Sequence, residues 1–182
     1  MLEVEVKVKV NLTETEEKLK SLGFIKGTTV YEKDTYYNSE FNDLKAADKA
    51  LRIREHKETD SNEIKYTLNF KGPKLDDFTM TRAETQFEIP SFEQGETVLK
   101  GLGYFAAGGV EKNRLHYTKE NITCCLDEVI GLGEFLEIEI MAEETEYNAA
   151  IEEIGELLNS LGLKMDDSVR HSYLSMLMER HS

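Results

Sequence analysis

Several features that indicate particular functions are scarce or missing in this sequence of 182 residues. The two cysteines, Cys124 and Cys125, are adjacent, so on a strand they would point to opposite faces, which favours packing over a disulfide or a metal site. No Cys–His ligand spacing and no GxxxxGK[ST] phosphate loop occurs. No apolar run approaches the ~20 residues that cross a bilayer, and no basic-then-apolar leader precedes the first pattern. We therefore expect a soluble, cytoplasmic protein with no membrane partner.

Positive charge is also in short supply, because 36 Asp and Glu residues outnumber 22 Lys and Arg residues and give a formal net charge of −14. Such a chain repels polyanions at long range, which argues against a general nucleic-acid surface. Any anionic substrate must therefore be held by a local basic cluster. The composition, 40% hydrophobic and 32% charged, is that of a globular protein. No Pro-, Gly- or Ser-rich linker divides the chain, so residues 1–182 are predicted to form a single domain.

Strict alternation of aliphatic and charged residues is the main structural signal. Residues 2–10 carry aliphatic side chains on one face and Glu3, Glu5 and Lys7 on the other, which predicts a strand. Further strands are predicted at 30–37, 51–54, 64–70, 81–89, 110–118, 121–129 and 134–141. Helices are predicted from a capping box at 13–16 to about residue 21, from the cap at 91–94 to residue 101, and near 146–160 and 168–179. A long loop is predicted at 38–49 and a turn at 71–73.

The strands share an unusual feature, because the face opposite the aliphatic side chains is densely charged with both signs. For any one strand, a solvated outer face is the simpler interpretation. A sheet of about eight strands closes naturally, however, because closure removes exposed edges. We therefore predict an α+β fold, an eight-stranded antiparallel β-barrel with helices packed on the outside and a charged lumen. The lumen-facing set is Glu3, Glu5, Lys7, Arg52, Arg54, Lys65, Lys71, Arg82, Glu84, Glu88, Lys112, Arg114, Asp127, Glu137 and Glu139. For Lys65 and Glu88, a solvated outer face remains an equal alternative.

An internal resemblance supports closure. A charged strand, a short helix, the tripeptide at 22–24 and a strand from Val30 describe the first part of the chain. The same order recurs from Arg82 through the tripeptide at 102–104 to Val110. Such a repeat suggests two halves of one barrel related by an approximate two-fold axis, although Leu-Gly after a helix is a common stop.

A lumen of this composition must hold ligands of opposite charge, because unpaired buried charges are very costly. Mg²⁺ and Mn²⁺ prefer carboxylate oxygens and commonly bridge to phosphates. Glu3 and Glu5 point the same way from one strand, as do Glu137 and Glu139 from another. Arg forms forked contacts with phosphate oxygens, whereas Lys acts as a point charge. The mixture therefore predicts a metal-bound triphosphate.

The Glu-x-Glu-x-Lys start at residues 3–7 is the first of an ordered set of motifs along the chain. This set resembles the CYTH family, which is named for class IV (CyaB-type) adenylate cyclases and thiamine triphosphatases. The family is part of the triphosphate tunnel metalloenzymes. The segment from Asn38 through Asp48 is closer to the CyaB-type branch than to animal thiamine triphosphatases. The other matching segments are 34–38, 48–54, 70–74, 82–84, 112–114, 126–129, 131–135, 137–139 and 170–173. The chain departs from the family pattern at Asn42, Lys49, Asn69 and Gln86.

The resemblance implies a tunnel that binds a triphosphate with Mg²⁺ or Mn²⁺, and it implies residue roles. Metal-site acids would be Glu3, Glu5, Glu137 and Glu139, with Glu84 and Asp127 as supporting members. Phosphate binders would be Lys7, Arg52, Arg54, Lys71, Arg82, Lys112 and Arg114. Glu3, Glu5, Lys7 and Arg54 would be the catalytic residues.

The scaffold serves more than one reaction. Attack by the ribose 3′-hydroxyl on the α-phosphorus of ATP would make cyclic AMP and pyrophosphate, and the branch resemblance favours this cyclase activity. Attack by water on the terminal phosphorus would make the protein a triphosphatase acting on inorganic, thiamine or nucleoside triphosphate. A non-catalytic polyphosphate or nucleotide sensor is a further alternative. By base rate, a C2 homodimer is the commonest oligomer and is possible here.

Overall fold

The computed structural model describes residues 2–75 and 79–180. Within these residues, eight antiparallel strands close into a barrel, in the order β1-β5-β4-β3-β2-β6-β7-β8. The predicted fold is therefore confirmed. The strands are β1 (Leu2–Lys9), β2 (Ile25–Asn38), β3 (Ala50–Glu58), β4 (Ile64–Lys74), β5 (Arg82–Ile89), β6 (Phe105–Lys119), β7 (Ile122–Val129) and β8 (Gly133–Ala142).

The helices within the same residues lie outside the barrel wall or at its end. They are α1 (Leu12–Ser21), α2 (Phe92–Gly101), α3 (Tyr147–Ser160) and α4 (Tyr173–Arg180), with short 3₁₀ turns at Glu144–Glu146 and Met165–Asp167. Ser91 caps α2 as predicted, since its side chain accepts a hydrogen bond from the Gln94 amide. The predicted capping box of the first helix is wrong: Asn11 is the N-cap and accepts from the amide of Glu14. Of the helices described, none is long and apolar enough to cross a bilayer.

The internal repeat has a counterpart in the topology. Suppose that β1 is exchanged with β5, β2 with β6, β3 with β7 and β4 with β8. Every strand of the barrel then still has equivalent neighbours, so the circular order is unchanged. Thus β1 lies beside β5, and β2 lies beside β6, each pair antiparallel. The two β–α–β segments that the sequence suggested as repeats therefore occupy equivalent places.

Closure is uneven around the wall. β1 pairs with β8 along its whole length, from Leu2 opposite Ala142 to Lys9 opposite Phe135. Against β5, the ladder of β1 contains the pair Glu3–Arg82. A backbone hydrogen bond from Met80 to the carbonyl of Glu5 extends this seam.

Most of the apolar core lies outside the barrel. The aliphatic face of β1, with Val4, Val6 and Val8, packs against Leu19 of α1 and Ile154 of α3 in one buried cluster. A second cluster lies under α2, which covers the outer face of β3 and β4. Because the aliphatic side chains point outward to these helices, the alternating charged side chains point into the barrel.

Helix α4 closes one end of the barrel. Tyr173 packs with the lumen-facing side chains of Val110, Val129 and Phe135. The strand β6 has Gly108 where α4 comes closest, and a Cβ there would lie 2.8 Å from Leu174 Cδ1. A small residue at this position therefore lets the helix sit against the rim.

Several boundaries differ from those predicted. The segment 71–73 is not a turn: β4 continues to Lys74, and a register shift between β4 and β5 between residues 71 and 74 accommodates Pro73. β2 and β6 each begin five residues earlier than predicted, because they pair with one another from Ile25 and Phe105 onward. The last helix begins at Tyr173 rather than near 168, since its first turn is capped by Ser172.

Candidate active site

The barrel encloses a cavity of about 550 Å³ that extends to the rim beneath α4 and the 39–49 loop. The predicted site residues that line it are Glu3, Glu5, Lys7, Arg52, Arg54, Lys71, Arg82, Glu84, Lys112, Arg114, Glu137 and Glu139. Asp127 is fully buried behind this lining and contacts it. The structure thus brings side chains from seven strands into one charged lumen.

Three carboxylates meet at one place in the lumen. Glu3 and Glu5 project from β1, and Glu139 of β8 lies directly opposite Glu5 in the ladder. Among residues 2–75 and 79–180, these side chains form the one group whose ligand oxygens all lie within 4.8 Å of one another. Three hard oxygen donors with no sulfur or imidazole fit Mg²⁺ or Mn²⁺ rather than a softer metal.

The crowding of these acids changes their protonation. Burial, together with repulsion from Glu5 and Glu139, raises the pKa of Glu3 to about 8, although Lys71 opposes the shift. Burial and the neighbouring Glu137 and Glu5 likewise raise the pKa of Glu139 to about 7. Carboxyls that resist ionisation because of burial and mutual repulsion favour a cation at the point where they converge.

Lys71 joins the carboxylate group to the β4–β5 wall. Its ammonium lies 2.7 Å from Glu3 and 2.9 Å from Glu84. Burial acts to raise the pKa of Glu84, but Lys71 and hydrogen bonds from Glu3 and Asn69 lower it to about 2. Glu84 is therefore an ionised carboxylate that holds Lys71, while Asn69 donates its amide to Glu84 and to Gln86 at 3.2 Å.

Two arginines on β3 are held by acids on β2. Arg54 donates from Nε and Nη2 to the two oxygens of Asp34 at 2.7 and 2.8 Å, and from Nη1 to Glu32 at 2.9 Å. Arg52 donates to the same Asp34 at 3.0 Å. Burial acts to raise the pKa of Asp34, but the two guanidinium groups lower it to about 2. The acids therefore fix both arginines with their charge retained.

A second basic group lies on β1 and β6. Arg114 donates from Nε and Nη2 to Asp127 at 2.6 Å each and also contacts Glu137. Lys112 lies 3.3 Å from Asp127 and 3.4 Å from Glu32. Lys7 reaches Glu137 at 3.0 Å and Glu5 at 3.5 Å. Glu84, Asp127 and Glu137 thus contact cations but lie outside the Glu3–Glu5–Glu139 carboxylate group, whose members also contact Lys71, Lys7 and Arg114.

Arg82 lies nearer the rim. Its Nη1 donates to the Gly72 carbonyl at 3.3 Å, and its Nη2 is 3.8 Å from Asp48. Asp48 also accepts from the backbone and side-chain nitrogens of Lys74 at 2.8 and 3.0 Å. Asp48 adopts a positive φ of 51°, so the loop places this carboxylate over two basic side chains of the wall.

Every one of the seven predicted phosphate binders forms at least one ion pair with a nearby carboxylate. The pairs keep the lumen close to neutral, which lowers the cost of burying so many charges. A polyanion with a cation bound to it would bring both signs of charge at once. It could therefore replace these internal pairs without leaving either sign uncompensated.

Some residues of the lumen were not predicted to have a role. Glu32, Asp34 and Tyr36 occupy every second position along β2 and so share one face. This is the same period-2 signal that identified the other strands. Tyr173 was noted within the C-terminal motif, yet nothing in its local sequence showed that it would reach Asp127, to which its hydroxyl donates at 3.0 Å. Lys74 likewise lines the cavity beside Asp48.

Comparison with known proteins is consistent with this geometry. A family model described as the CYTH domain matches residues 1–173. A protein of Methanocaldococcus jannaschii named "putative adenylate cyclase" is 36% identical over 178 residues, covering 97% of this chain and 98% of that protein.

Solved structures share the fold. The PH1819 protein of Pyrococcus horikoshii OT3 has a TM-score of 0.89 and 35% identity, covering 98% of this chain and 99% of its own. The HpAC1 protein of Hippeastrum, named "putative adenylyl cyclase" and described as having a dominant triphosphatase activity, has a TM-score of 0.69. Its identity is 19%, over 98% of this chain and 95% of that one, so this likeness shows the fold alone.

Proposed function

Since this chain belongs to the CYTH domain family, we propose that it is a metal-dependent enzyme acting on a triphosphate, of the class IV adenylate cyclase type. The observation that carries the proposal is the juxtaposition, in one cavity, of the Glu3–Glu5–Glu139 carboxylate group with a set of buried Lys and Arg side chains. Neither half alone would accommodate a metal-bound triphosphate. Together they offer oxygen ligands for the cation and donors for the phosphates.

Glu3, Glu5 and Glu139 would hold Mg²⁺ or Mn²⁺, with Glu137, Glu84 and Asp127 supporting the site. A bound divalent ion would supply Lewis acidity at a phosphate oxygen and at the attacking oxygen. Glu137 and Asp127 would support the site by holding basic side chains in place. Glu137 forms an ion pair with Lys7, and Asp127 forms one with Arg114. Glu84 would act through Lys71 in the same way.

Seven basic side chains on five strands would surround the triphosphate from several sides and hold its phosphates. They are Lys7, Arg52, Arg54, Lys71, Arg82, Lys112 and Arg114. Their positive charge would neutralise the charge that develops on the phosphate oxygens as the bond to the leaving group breaks. Arg54 is firmly held, because Asp34 and Glu32 accept hydrogen bonds from three of its nitrogens. We therefore retain Glu3, Glu5, Lys7 and Arg54 as the catalytic residues.

In the cyclase reaction, the ribose 3′-oxygen bonds to the α-phosphorus and loses its proton. The bond between that phosphorus and the oxygen bridging to the β-phosphate breaks, so the products are cyclic AMP and pyrophosphate. The 36% identity to the Methanocaldococcus jannaschii protein supports this assignment over its alternative. The alternative is a triphosphatase, in which water bonds to the terminal phosphorus and loses a proton, the bond from that phosphorus to the bridging oxygen breaks, and the products are orthophosphate and the remaining diphosphate.

A single experiment distinguishes these activities. Purified protein is incubated with Mg²⁺ or Mn²⁺ and with either ATP or tripolyphosphate, and the products are separated by chromatography. Cyclic AMP with an equal amount of pyrophosphate supports the cyclase, and orthophosphate from tripolyphosphate supports the triphosphatase. Binding without turnover would leave a polyphosphate or nucleotide sensor. The absence of both binding and turnover would contradict the proposal.

Four further expectations stay predictions. The family match over residues 1–173 supports a single domain spanning the chain. A cytoplasmic location is predicted from the sequence, as is the absence of a nucleic-acid partner. A homodimer is possible, and sedimentation would test it.

A further inference from the structure

Tyr173, the first residue of α4, lies against two of the lysines that would bind phosphate. The Lys7 ammonium is 4.2 Å from the centroid of the Tyr173 ring, and the Lys112 ammonium is 5.4 Å from it. We propose that Tyr173 is a positioning residue that holds these two lysines, together with Arg114, in the arrangement that receives the triphosphate. This inference rests on the proposed triphosphate binding and adds a residue from α4 to that site.

The ring differs from the other neighbours of the two lysines. Lys7 contacts Glu137 and Glu5, and Lys112 contacts Glu32 and Asp127, so each ammonium is neutralised by carboxylates that would compete with a phosphate. An aromatic face attracts a cation through its quadrupole and carries no net charge. The ring therefore stabilises both ammonium groups and leaves their charge available to an incoming anion.

The hydroxyl of Tyr173 acts on a third cation. It donates a hydrogen bond of 3.0 Å to Asp127 Oδ2, and Asp127 holds Arg114 through two contacts of 2.6 Å. Asp127 is fully buried, so its orientation depends on these partners rather than on water. The hydroxyl thus helps to fix the carboxylate that aims the Arg114 guanidinium.

The docking of α4 also uses side chains that do not face the lysines. Leu177 packs with the apolar cluster at the barrel end and lies 3.2 Å from the position of a Cβ on Gly131. Leu177 is not among the residues that line the cavity. The effect of loosening α4 can therefore be separated from the effect of removing the aromatic ring.

The test compares Tyr173→Phe, Tyr173→Met and the control Leu177→Ala. Binding of tripolyphosphate is measured by titration calorimetry, turnover gives kcat and KM, and thermal denaturation gives Tm. We expect Tyr173→Met to raise Kd and KM about tenfold, since the cation–π contacts are lost. Tyr173→Phe keeps the ring and should leave Kd within about threefold, while kcat falls because Arg114 is less well held. Leu177→Ala should lower Tm with Kd within about twofold of the wild type.

Suppose that Tyr173→Met and Leu177→Ala lower Tm by the same amount and also change Kd by the same amount. That result would overturn the inference, because Tyr173 would then only dock the helix. If Tyr173→Met does not fold, the NMR signals of the Lys7 ε-methylene protons, recorded in the wild type and in Tyr173→Phe, test whether the ring lies against Lys7. The ring should shift them upfield, and they should stay shifted when tripolyphosphate is bound; unshifted signals would also overturn it. A wild type that neither binds tripolyphosphate nor turns over ATP would instead contradict the proposed function.

Discussion

The ammonium of Lys71 lies 2.7 Å from a carboxylate oxygen of Glu3, so a cation suited to a phosphate is held against an acid suited to a metal. Lys71 comes from β4 and Glu3 from β1, two strands separated in the barrel by β5. The contact therefore joins the two halves of the proposed site across the lumen. Changes at either residue should affect both metal use and phosphate binding.

Glu3→Gln tests this relationship. The substitution keeps the size of the side chain and removes its charge, so the metal loses one of the clustered carboxylates. We expect kcat with saturating Mg²⁺ or Mn²⁺ to fall by about 100-fold or more, since a bound metal supplies several kcal/mol of transition-state stabilisation. The metal concentration for half-maximal activity should rise. Steady-state kinetics at a series of metal concentrations measures both quantities.

The matched control for that experiment is Glu63→Gln, an exposed glutamate outside the cavity whose side chain lies 3.4 Å from Lys65. It should leave kcat and the metal dependence unchanged. Turnover of Glu3→Gln at the wild-type rate, with a folded protein by circular dichroism, would show that the carboxylate group does not hold the metal.

The raised pKa values of Glu3 and Glu139, about 8 and about 7, predict how stability depends on pH when metal is removed. In the unfolded chain both groups ionise near the ordinary value of 4.5, so the folded protein holds protons that the unfolded chain releases. The free energy of unfolding should therefore fall as pH rises from 4.5 through 8. In EDTA, Tm should decrease between about pH 5 and about pH 9.

Bound divalent metal replaces those protons, so Mg²⁺ or Mn²⁺ should remove most of the decrease in Tm. The double variant Glu3→Gln/Glu139→Gln should show a flatter profile in EDTA and little response to metal. A wild-type Tm that is constant across this range, with and without EDTA, would contradict the assignment of these acids.

Gly108→Val tests the closure of the barrel end. A Cβ at residue 108 would lie 2.8 Å from Leu174 Cδ1 and 3.3 Å from Met178 Cε, so the ends of these two α4 side chains must shift to admit the branched side chain. We expect a loss of about 1–3 kcal/mol in the free energy of unfolding, the usual cost of overpacking. Limited proteolysis should cut more rapidly within residues 169–180. Urea denaturation measures the first quantity, and mass spectrometry of the fragments measures the second.

The control is Gly101→Ala, at the end of α2, where a Cβ meets no atom within 4 Å. Alanine restricts the unfolded chain, so this variant should be as stable as the wild type or slightly more stable. If Gly108→Val were as stable and as resistant to protease as Gly101→Ala, the close docking of α4 would be in doubt.

The sequence was sufficient for the parts of the site that follow from alternation within a strand. Glu3 and Glu5 share a face by period two, and Glu139 does so on β8, so closure alone brings them together. Glu32 and Asp34 carry the same signal, but alternation alone assigned them no role. Their roles depend on the partners that β3 provides, Arg52 and Arg54, which lie beside them across the ladder.

Contacts between distant elements could not be predicted in this way. Tyr173 reaches Asp127 only because α4 closes one particular end of the barrel, and no local pattern encodes which end a helix covers. The segment 71–73 shows the opposite problem. Gly-Pro is a strong local turn signal, yet β4 continues through Pro73 because the pairing with β5 is irregular there and needs no amide donor.

Glu32→Gln tests a residue whose role appears only in the structure. The Glu32 side chain is buried and contacts Arg54 at 2.9 Å and Lys112 at 3.4 Å, so removing its charge leaves two buried cations short of a partner. The free energy of unfolding without ligand should fall by about 3 kcal/mol, measured in urea. Binding of tripolyphosphate in EDTA should become tighter, because the anion no longer competes with Glu32 for these cations.

The control is Glu111→Gln, at a half-exposed acid 3.8 Å from Lys33. It should change the free energy of unfolding by less than about 1 kcal/mol and leave Kd unaltered. Weaker binding by Glu32→Gln would mean that the acid orients the cations more than it competes for them.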